Sequence, residues 1–277
     1  MATKNARDTC TGLYLVVLLY EIEFEERRVV SRTDMNLIID IGNTRAKAFA
    51  FEGEQIVDGM TTDHKLTGLV EFAQRLKCQR GIYSCVAHLP EEGLKTLDSL
   101  GINMLQLTGQ TPIPVEIMYH TTETLGADRI AAIAGARALQ PEGELLVIDS
   151  GTCITFDFLD AANHYIGGNI SPGLGLRLRA MHEHTALLPL IDGEGEAPEL
   201  GYDTATALRS GVVWGMKHEI EGYIRQFRKK YPCVSVFLTG GDIKKLALGI
   251  ANSSKSRIFA DDFIVPRGLN TILAYNE

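Results

Sequence analysis

One short turn, present twice, limits this chain to folds that set two similar sheet edges against each other. The first copy is Leu37-Ile38-Ile39-Asp40-Ile41-Gly42-Asn43-Thr44 and the second is Leu146-Val147-Ile148-Asp149-Ser150-Gly151-Thr152. In each, an apolar run ends in Asp, one residue, Gly and a Thr close behind, and alternating residues then resume. A strand–tight turn–strand unit of this kind leaves an Asp and a Thr at the rim of a sheet. Its glycine lets backbone N–H groups come close to a phosphate. One copy alone reads as an ordinary strand-to-strand turn. Two copies, each heading a similar half, read as two clasps able to hold a nucleotide and its metal between them.

The rest of the chain is consistent with a duplicated α/β protein. After the first turn, Ala46–Phe51 alternates as a second strand, and Glu52-Gly53-Glu54 reads as the turn that ends it. Apolar residues at helical spacing follow over Leu66–Leu76, then a strand at Gly81–Val86, a helix from Pro90 to about Leu100 and a strand at Asn103–Leu107. Behind the second turn the pattern repeats loosely. Strands are expected at Cys153–Leu159 and His164–Ile170, a helix shortly before His184, and a long helix from about Ala205 to Lys230. A strand at Val234–Thr239, a helix from Asp242 and a terminal helix at Pro266–Tyr275 complete the second half. Pro141, Glu142 and Gly143 interrupt a helix just ahead of the second turn and mark the boundary, giving lobes of residues 35–143 and 144–277.

Residues 1–34 stand apart from this scheme. The apolar run Leu13–Tyr20 is too short to span a bilayer and is followed at once by Glu21, Glu23, Glu25 and Glu26. Met35 stands directly before the first strand, so residues 1–34 are expected to be an extension outside the folded core. The 277 residues, 45% hydrophobic and 22% charged, suffice for two lobes with real cores. A net charge of −8 argues against nonspecific nucleic-acid binding, which needs a basic face. Five scattered cysteines with no C-x-x-C pair suit reduced thiols in the cytoplasm better than a disulfide frame or a zinc site. His182 and His184 lie two apart rather than four, which fits no helical metal-ligand spacing.

A third glycine motif, Leu238-Thr239-Gly240-Gly241-Asp242, runs from a strand into an acidic helix start and suits a surface against which adenosine can lie. No G-x-x-x-x-G-K-[ST] is present, and no kinase-type glycine loop with a downstream H-R-D. Together the three turns resemble the actin, hexokinase and acetate-kinase superfamily, whose duplicated ribonuclease-H-like halves clamp ATP in the cleft between them. Two further segments narrow the resemblance: Gly126-Ala127-Asp128-Arg129 at a helix start and Gly167-Gly168-Asn169-Ile170-Ser171-Pro172-Gly173 after the second turn. All five motifs, in this order from Met35 onward, look like type III pantothenate kinase. Cys153 is a small departure, since that family more often has Ala there.

That resemblance implies a role for each motif. Asp128 would be the general base that takes the proton of a primary hydroxyl as it attacks a γ-phosphate. On the residues alone, an Asp at a helix start also balances the helix dipole. Arg129 would bind the pantothenate carboxylate through paired hydrogen bonds, where a bare reading gives a surface salt bridge. Gly126 and Ala127 would complete the substrate segment. Tyr119 would touch substrate or be a core residue, and Thr204 would touch substrate or cap the long helix. Asp40, Ile41, Gly42, Asn43, Thr44, Arg45, Ala46 and Lys47 match the family's ATP segment, with Lys47 merely solvated if its strand turns it outward. Asp40 would also hold Mg²⁺, through water, because Mg²⁺ gives up its hydration reluctantly. Thr152 would join ATP binding, and Asp149 would hold the monovalent cation, K⁺ or NH₄⁺, that the family requires.

The expected activity is thus phosphorylation of pantothenate by ATP, the first step of coenzyme A synthesis, by a cytoplasmic homodimer with no membrane or nucleic-acid partner. The resemblance implies the homodimer, with a substrate pocket built at the subunit interface. Two other readings stand beside it: another small-molecule kinase of the superfamily, and a non-catalytic ATP-binding accessory protein. The retained Asp40, Asp128 and Asp149 argue against the latter.

Overall fold

The computed structural model describes residues 35–243 and 257–277. In the first half, β1 (Met35–Ile41), β2 (Ala46–Glu52), β3 (Gln55–Thr62), α1 (Leu69–Arg75), β4 (Cys78–Cys85), α2 (Glu91–Asp98) and β5 (Asn103–Gln106) follow in order. Then come β6 (Glu116–Ile117), a 3₁₀ turn at Thr122–Thr124 and α3 (Ala127–Leu139). The second half holds β7 (Leu145–Ser150), β8 (Cys153–Leu159), β9 (His164–Pro172), α4 (Leu174–Glu183), α5 (Thr204–Lys230), β10 (Ser235–Thr239), β11 (Ile258–Ala260) and α6 (Ile264–Tyr275).

The two sheets repeat one strand order. The first runs β3-β2-β1-β4-β5, and the second runs β9-β8-β7-β10-β11 with β6 added beside β9. In both, the opening three strands are antiparallel and the next two parallel to the first. This is the duplicated ribonuclease-H-like arrangement, a mixed sheet flanked by helices in each half.

Strand parity builds the layers. Successive side chains of a strand point to opposite faces. In β1, Leu37, Ile39 and Ile41 therefore join α1 and α2 in one core, while Ile38 joins α3 and α6 in another. In β7, Leu146 and Ile148 pack with α4 and α5, while Leu145 and Val147 face α3 and α6. The pair α3 and α6 thus forms a middle layer on which both sheets bury their inner faces. Small residues let these two helices touch backbone to backbone. A Cβ on Gly268 would collide with the carbonyl oxygen of Ala131, and one on Gly135 with that of Ile264.

Several expectations shift on this framework. The segment after Glu52 is not only a turn: Gln55–Thr62 returns as edge strand β3, paired to β2 with one register shift, at Val57. The first helix starts at Leu69 rather than Leu66, because Leu66 (φ 60) and Gly68 (φ 81) adopt left-handed backbone. Two short edge strands, β6 and β11, carry too few residues for an alternation to be read. Pro266 lies inside the first turn of α6, where its missing N–H costs no helical bond. The extension expected over residues 1–34, and all of the helix expected from Asp242 beyond Ile243, lie outside the described residues.

The α3–α6 contact yields a stability prediction. Gly268→Ala forces a methyl into the backbone of Ala131 and should destabilise the protein by about 2–3 kcal/mol. Gly211→Ala on α5, where a Cβ meets nothing, should be neutral or stabilising by about 0.5–1 kcal/mol. Guanidinium unfolding midpoints of the two variants would check both signs.

Candidate active site

The same parity that builds the layers aims the two aspartates. Asp40 shares the face of Ile38 and Asp149 the face of Val147, so both carboxylates open toward the middle layer, at the ends of their strands. The two turns meet there, with Thr44 Oγ1 lying 3.4 Å from Thr152 Oγ1 across the gap between halves. Each turn is closed by its own glycine: the Gly42 N–H donates to the Arg45 carbonyl at 3.2 Å, and that of Gly151 to the Cys153 carbonyl at 2.9 Å. Asn43, Thr44, Arg45 and Thr152 remain exposed at the rim. Ile41 and Ala46 are fully buried in the outer core, so only their backbone faces the site.

Lys47 lies opposite Asp40 in the β1–β2 register, on the same sheet face. Though exposed, its ammonium stands near enough to favour ionisation of both Asp40 and Asp149. Ser84 Oγ donates to Asp40 Oδ1 at 2.9 Å from the neighbouring β4. Burial nevertheless raises the Asp40 carboxyl above its ordinary value. Asp149 is pushed up to about 7 by burial and by the nearby charges of Asp128 and Asp40. Three carboxylates therefore share one electrostatic neighbourhood at the mouth of the cleft.

Asp128 enters this neighbourhood from the second position of α3, whose N-cap is Gly126. Its Oδ1 accepts the Arg129 backbone N–H at 2.9 Å, so the helix-start role and a site position coexist. A Cβ on Gly126 would lie 2.5 Å from Asp128 Oδ1, so a larger residue there would displace that carboxylate. Burial raises the Asp128 carboxyl, opposed by the Arg129 N–H and guanidinium. Ala127 points away into the central core.

The remaining motifs brace these groups. Gly240 (φ 98) presses the Thr-Gly-Gly turn onto Asp149 and the Ser150 carbonyl, and the Asp242 N–H donates to Ser150 O at 3.0 Å. Gly173 packs against the backbone of the second turn and donates its N–H to Thr152 O at 3.0 Å. A Cβ on Gly168 would lie 2.6 Å from Asp157 Oδ1 and 2.7 Å from Arg129 Nη2. Arg129 itself is only 5% exposed, and its guanidinium lies 5.7 Å from the centre of the Tyr119 ring. Tyr119 in turn contacts Gly167 and Tyr165. Thr204 is not a cap: Asp203 caps α5, in a capping box with Thr206, and Thr204 is an exposed first-turn residue.

Three contributors escape a sequence reading. His64 reaches from the β3–α1 loop to place Nε2 2.8 Å from the Gly42 carbonyl. Its loop is held by Asp63, which accepts from the backbone of Lys65 and Thr67. Nothing in the order of residues links His64 to Gly42. Ser84 likewise has no local signal. Asp157 does leave a trace, as an acid inside the apolar strand Cys153–Leu159, where a lone charge needs a buried partner.

The comparisons with known proteins fall in line with this geometry. The family model described as type III pantothenate kinase matches residues 36–226. The chain belongs to the type III pantothenate kinase family. It is 44% identical over 244 residues to a type III pantothenate kinase of Phocaeicola vulgatus, covering 88% of this chain and 99% of that one. A Bacteroides fragilis protein of the same name is 46% identical over the same shares. Among solved structures, a Campylobacter jejuni chain described as a Baf-family transcriptional activator shares the fold at a TM-score of 0.57 and 24% identity, over 87% of this chain and 98% of its own. The activator of 2-hydroxyisocaproyl-CoA dehydratase from Clostridium difficile does so at 0.50 and 14%, over 87% and 94%.

The acid cluster predicts how this kinase-family protein responds to pH. A carboxyl raised from 3.8 to about 7 keeps its proton in the folded state while the unfolded chain has released it. The contribution of Asp149 to stability is then full below about pH 4, falls as pH rises toward about 7, and is level above that. Thermal melting of chelator-treated protein across this range should show that fall. Asp149→Asn should flatten it and raise the melting temperature at the upper end. An unchanged slope in the variant would remove Asp149 as its source.

Proposed function

We propose that this chain transfers the γ-phosphoryl group of ATP to the primary hydroxyl of pantothenate, giving 4′-phosphopantothenate in the first step of coenzyme A synthesis. The observation that carries the proposal is the meeting of the two turns at Thr44 and Thr152, with Asp128 charged against the same cluster. Family membership supports the substrate, because the relatives are named for it.

In this reading the hydroxyl oxygen attacks the γ-phosphorus, the bond to the β–γ bridging oxygen breaks, and ADP leaves. The hydroxyl proton passes to the Asp128 carboxylate, whose raised proton affinity suits an acceptor. The turn residues Gly42, Asn43, Thr44 and Thr152 and the Lys47 ammonium hold the phosphates by backbone, hydroxyl and charge. Arg129 binds the pantothenate carboxylate beside Tyr119, and Thr204 contacts substrate from α5.

Asp40 and Asp149 fit a metal-binding role. Their oxygens are hard donors, and the charge that burial and neighbouring acids disfavour on Asp149 would be offset by a bound cation. Among the described residues no three acidic, His or Cys side chains converge to cage a metal. Mg²⁺ is commonly held by one or two carboxylates together with substrate phosphates. Asp40 would hold Mg²⁺ and Asp149 the K⁺ or NH₄⁺, and these ions would neutralise charge on the transferring phosphoryl group.

The proposal includes the two-lobe division at residues 35–143 and 144–277, supported by the repeated strand order. It also includes a homodimer in the cytoplasm. Leu187 and Leu200 are 92% and 85% exposed on the segment leading to Thr204, with Leu190 and Tyr202 beside them. Such a run of bare apolar side chains is what a subunit interface covers. Cys78, Cys85, Cys153 and Cys233 are free thiols, as a reducing compartment requires. Among the described residues no helix is long and apolar enough to cross a membrane.

Two experiments test the reading. Purified protein with ATP, Mg²⁺ and pantothenate should form phosphopantothenate in K⁺ and far less without it, and Asp128→Asn should lower kcat by about 10²–10⁴-fold. No product from the wild type in K⁺ would overturn the activity, whereas an active Asp128→Asn would remove only the base. Sedimentation of the Leu187→Glu, Leu200→Glu double variant should show a monomer with a raised KM for pantothenate. A variant that stays dimeric would clear this segment of the interface.

A further inference from the structure

Arg129 presents a physical problem that its proposed role does not solve. A guanidinium on the inner face of a protein needs a counter-charge before any substrate arrives, because an unpaired buried cation is strongly destabilising. Yet a partner that enclosed it would leave nothing for a substrate to bind.

Asp157 resolves both demands. It lies on β8 with its side chain on the inner sheet face, fully buried beneath the start of α3. A single oxygen, Oδ1, accepts Arg129 Nε at 2.9 Å, Arg129 Nη2 at 2.6 Å and the Tyr165 hydroxyl at 2.7 Å. With three donors converging on it, the carboxyl acts only as an acceptor here, as its ionised form does. Burial works against the Arg129 charge, and the bonds and charge of Asp157 outweigh it, so the guanidinium stays protonated. Nε and Nη2 form one edge of the planar guanidinium, so gripping that edge turns Nη1 the other way. The Tyr119 ring lies against the guanidinium, and Gly168 leaves the room in which this grip closes.

We propose that Asp157, itself held by Tyr165, is a positioning residue. It neutralises Arg129 in the free protein and aims its remaining edge at the substrate carboxylate. This rests on the reading of Arg129 as the carboxylate reader. Because Arg129 and Asp128 are consecutive on α3, fixing the guanidinium also fixes how far the bound carboxylate stands from the base. Asp157 touches no reacting atom; it acts through Arg129.

The test compares pantothenate with its analogue in which the carboxylate is a primary alcohol, and follows kcat/KM for each beside the KM for ATP. The wild type should prefer the carboxylate, and Arg129→Gln should abolish that preference. Asp157→Asn keeps the volume but not the charge. It should raise the KM for pantothenate by about tenfold or more, shrink the preference in proportion, and leave the KM for ATP within about twofold. Tyr165→Phe, which keeps the ring and the ion pair, should shift the preference the same way by about threefold. It decides the matter if Asp157→Asn does not fold. A preference unchanged in Arg129→Gln overturns both the carboxylate reading and this inference. A preference lost in Arg129→Gln but intact in Asp157→Asn, or in Tyr165→Phe where that variant must decide, overturns the positioning role alone. Equal losses for both acceptors and for ATP would mark Asp157 as a structural strut and also overturn it.

Discussion

The architecture depends on how closely α3 and α6 approach each other. Ala131, Gly135 and Gly268 bring the two backbones into contact, and a single added methyl would part them. Because these helices form the layer between the sheets, their separation sets the distance between Asp40 on one sheet and Asp149 on the other. It also sets where α3 begins, and hence where Asp128 stands. A small-residue contact far from any phosphate thereby controls the spacing of the three carboxylates.

Charge is arranged around that frame with a consistent logic. In the cluster of Asp40, Asp128 and Asp149, the cations Lys47 and Arg129 do not offset burial, and all three carboxyls stay raised, a state that a bound cation would relieve. The next residue along α3, Arg129, is paired with Asp157. The protein keeps an acid surplus where phosphate and metal would meet, and a balanced pair where an organic carboxylate would sit. The glycines of the motifs serve this division. Gly240 makes room for Asp149, Gly126 for Asp128 and Gly168 for the Arg129–Asp157 pair.

How much of this could be read from the residues differs by the range of the interaction. The paired turns, the strands that follow them and the long helix were legible, because turn chemistry and apolar period are local. The edge strands β6 and β11 were not, since two or three residues carry no period and their pairing comes from a neighbour distant in the chain. Thr204 could not be told from a cap until Asp203 was seen to take that place. His64 and Ser84 were invisible, as their partners Gly42 and Asp40 are reached only through the folded chain.

The sequence by itself determined that two phosphate-type turns head two similar halves, which residue types stand at them, and which family the five motifs resemble. Those are properties of short segments, where spacing and side-chain chemistry are enough. Only the tertiary structure decided that the turns face each other, that Lys47 stands opposite Asp40 in the sheet, and that Arg129 is committed to Asp157 along one edge. Each of these depends on which sheet face a residue occupies and on what the other half brings opposite it. Strand parity can propose a face, but the packing of α3 against α6 supplies the neighbour.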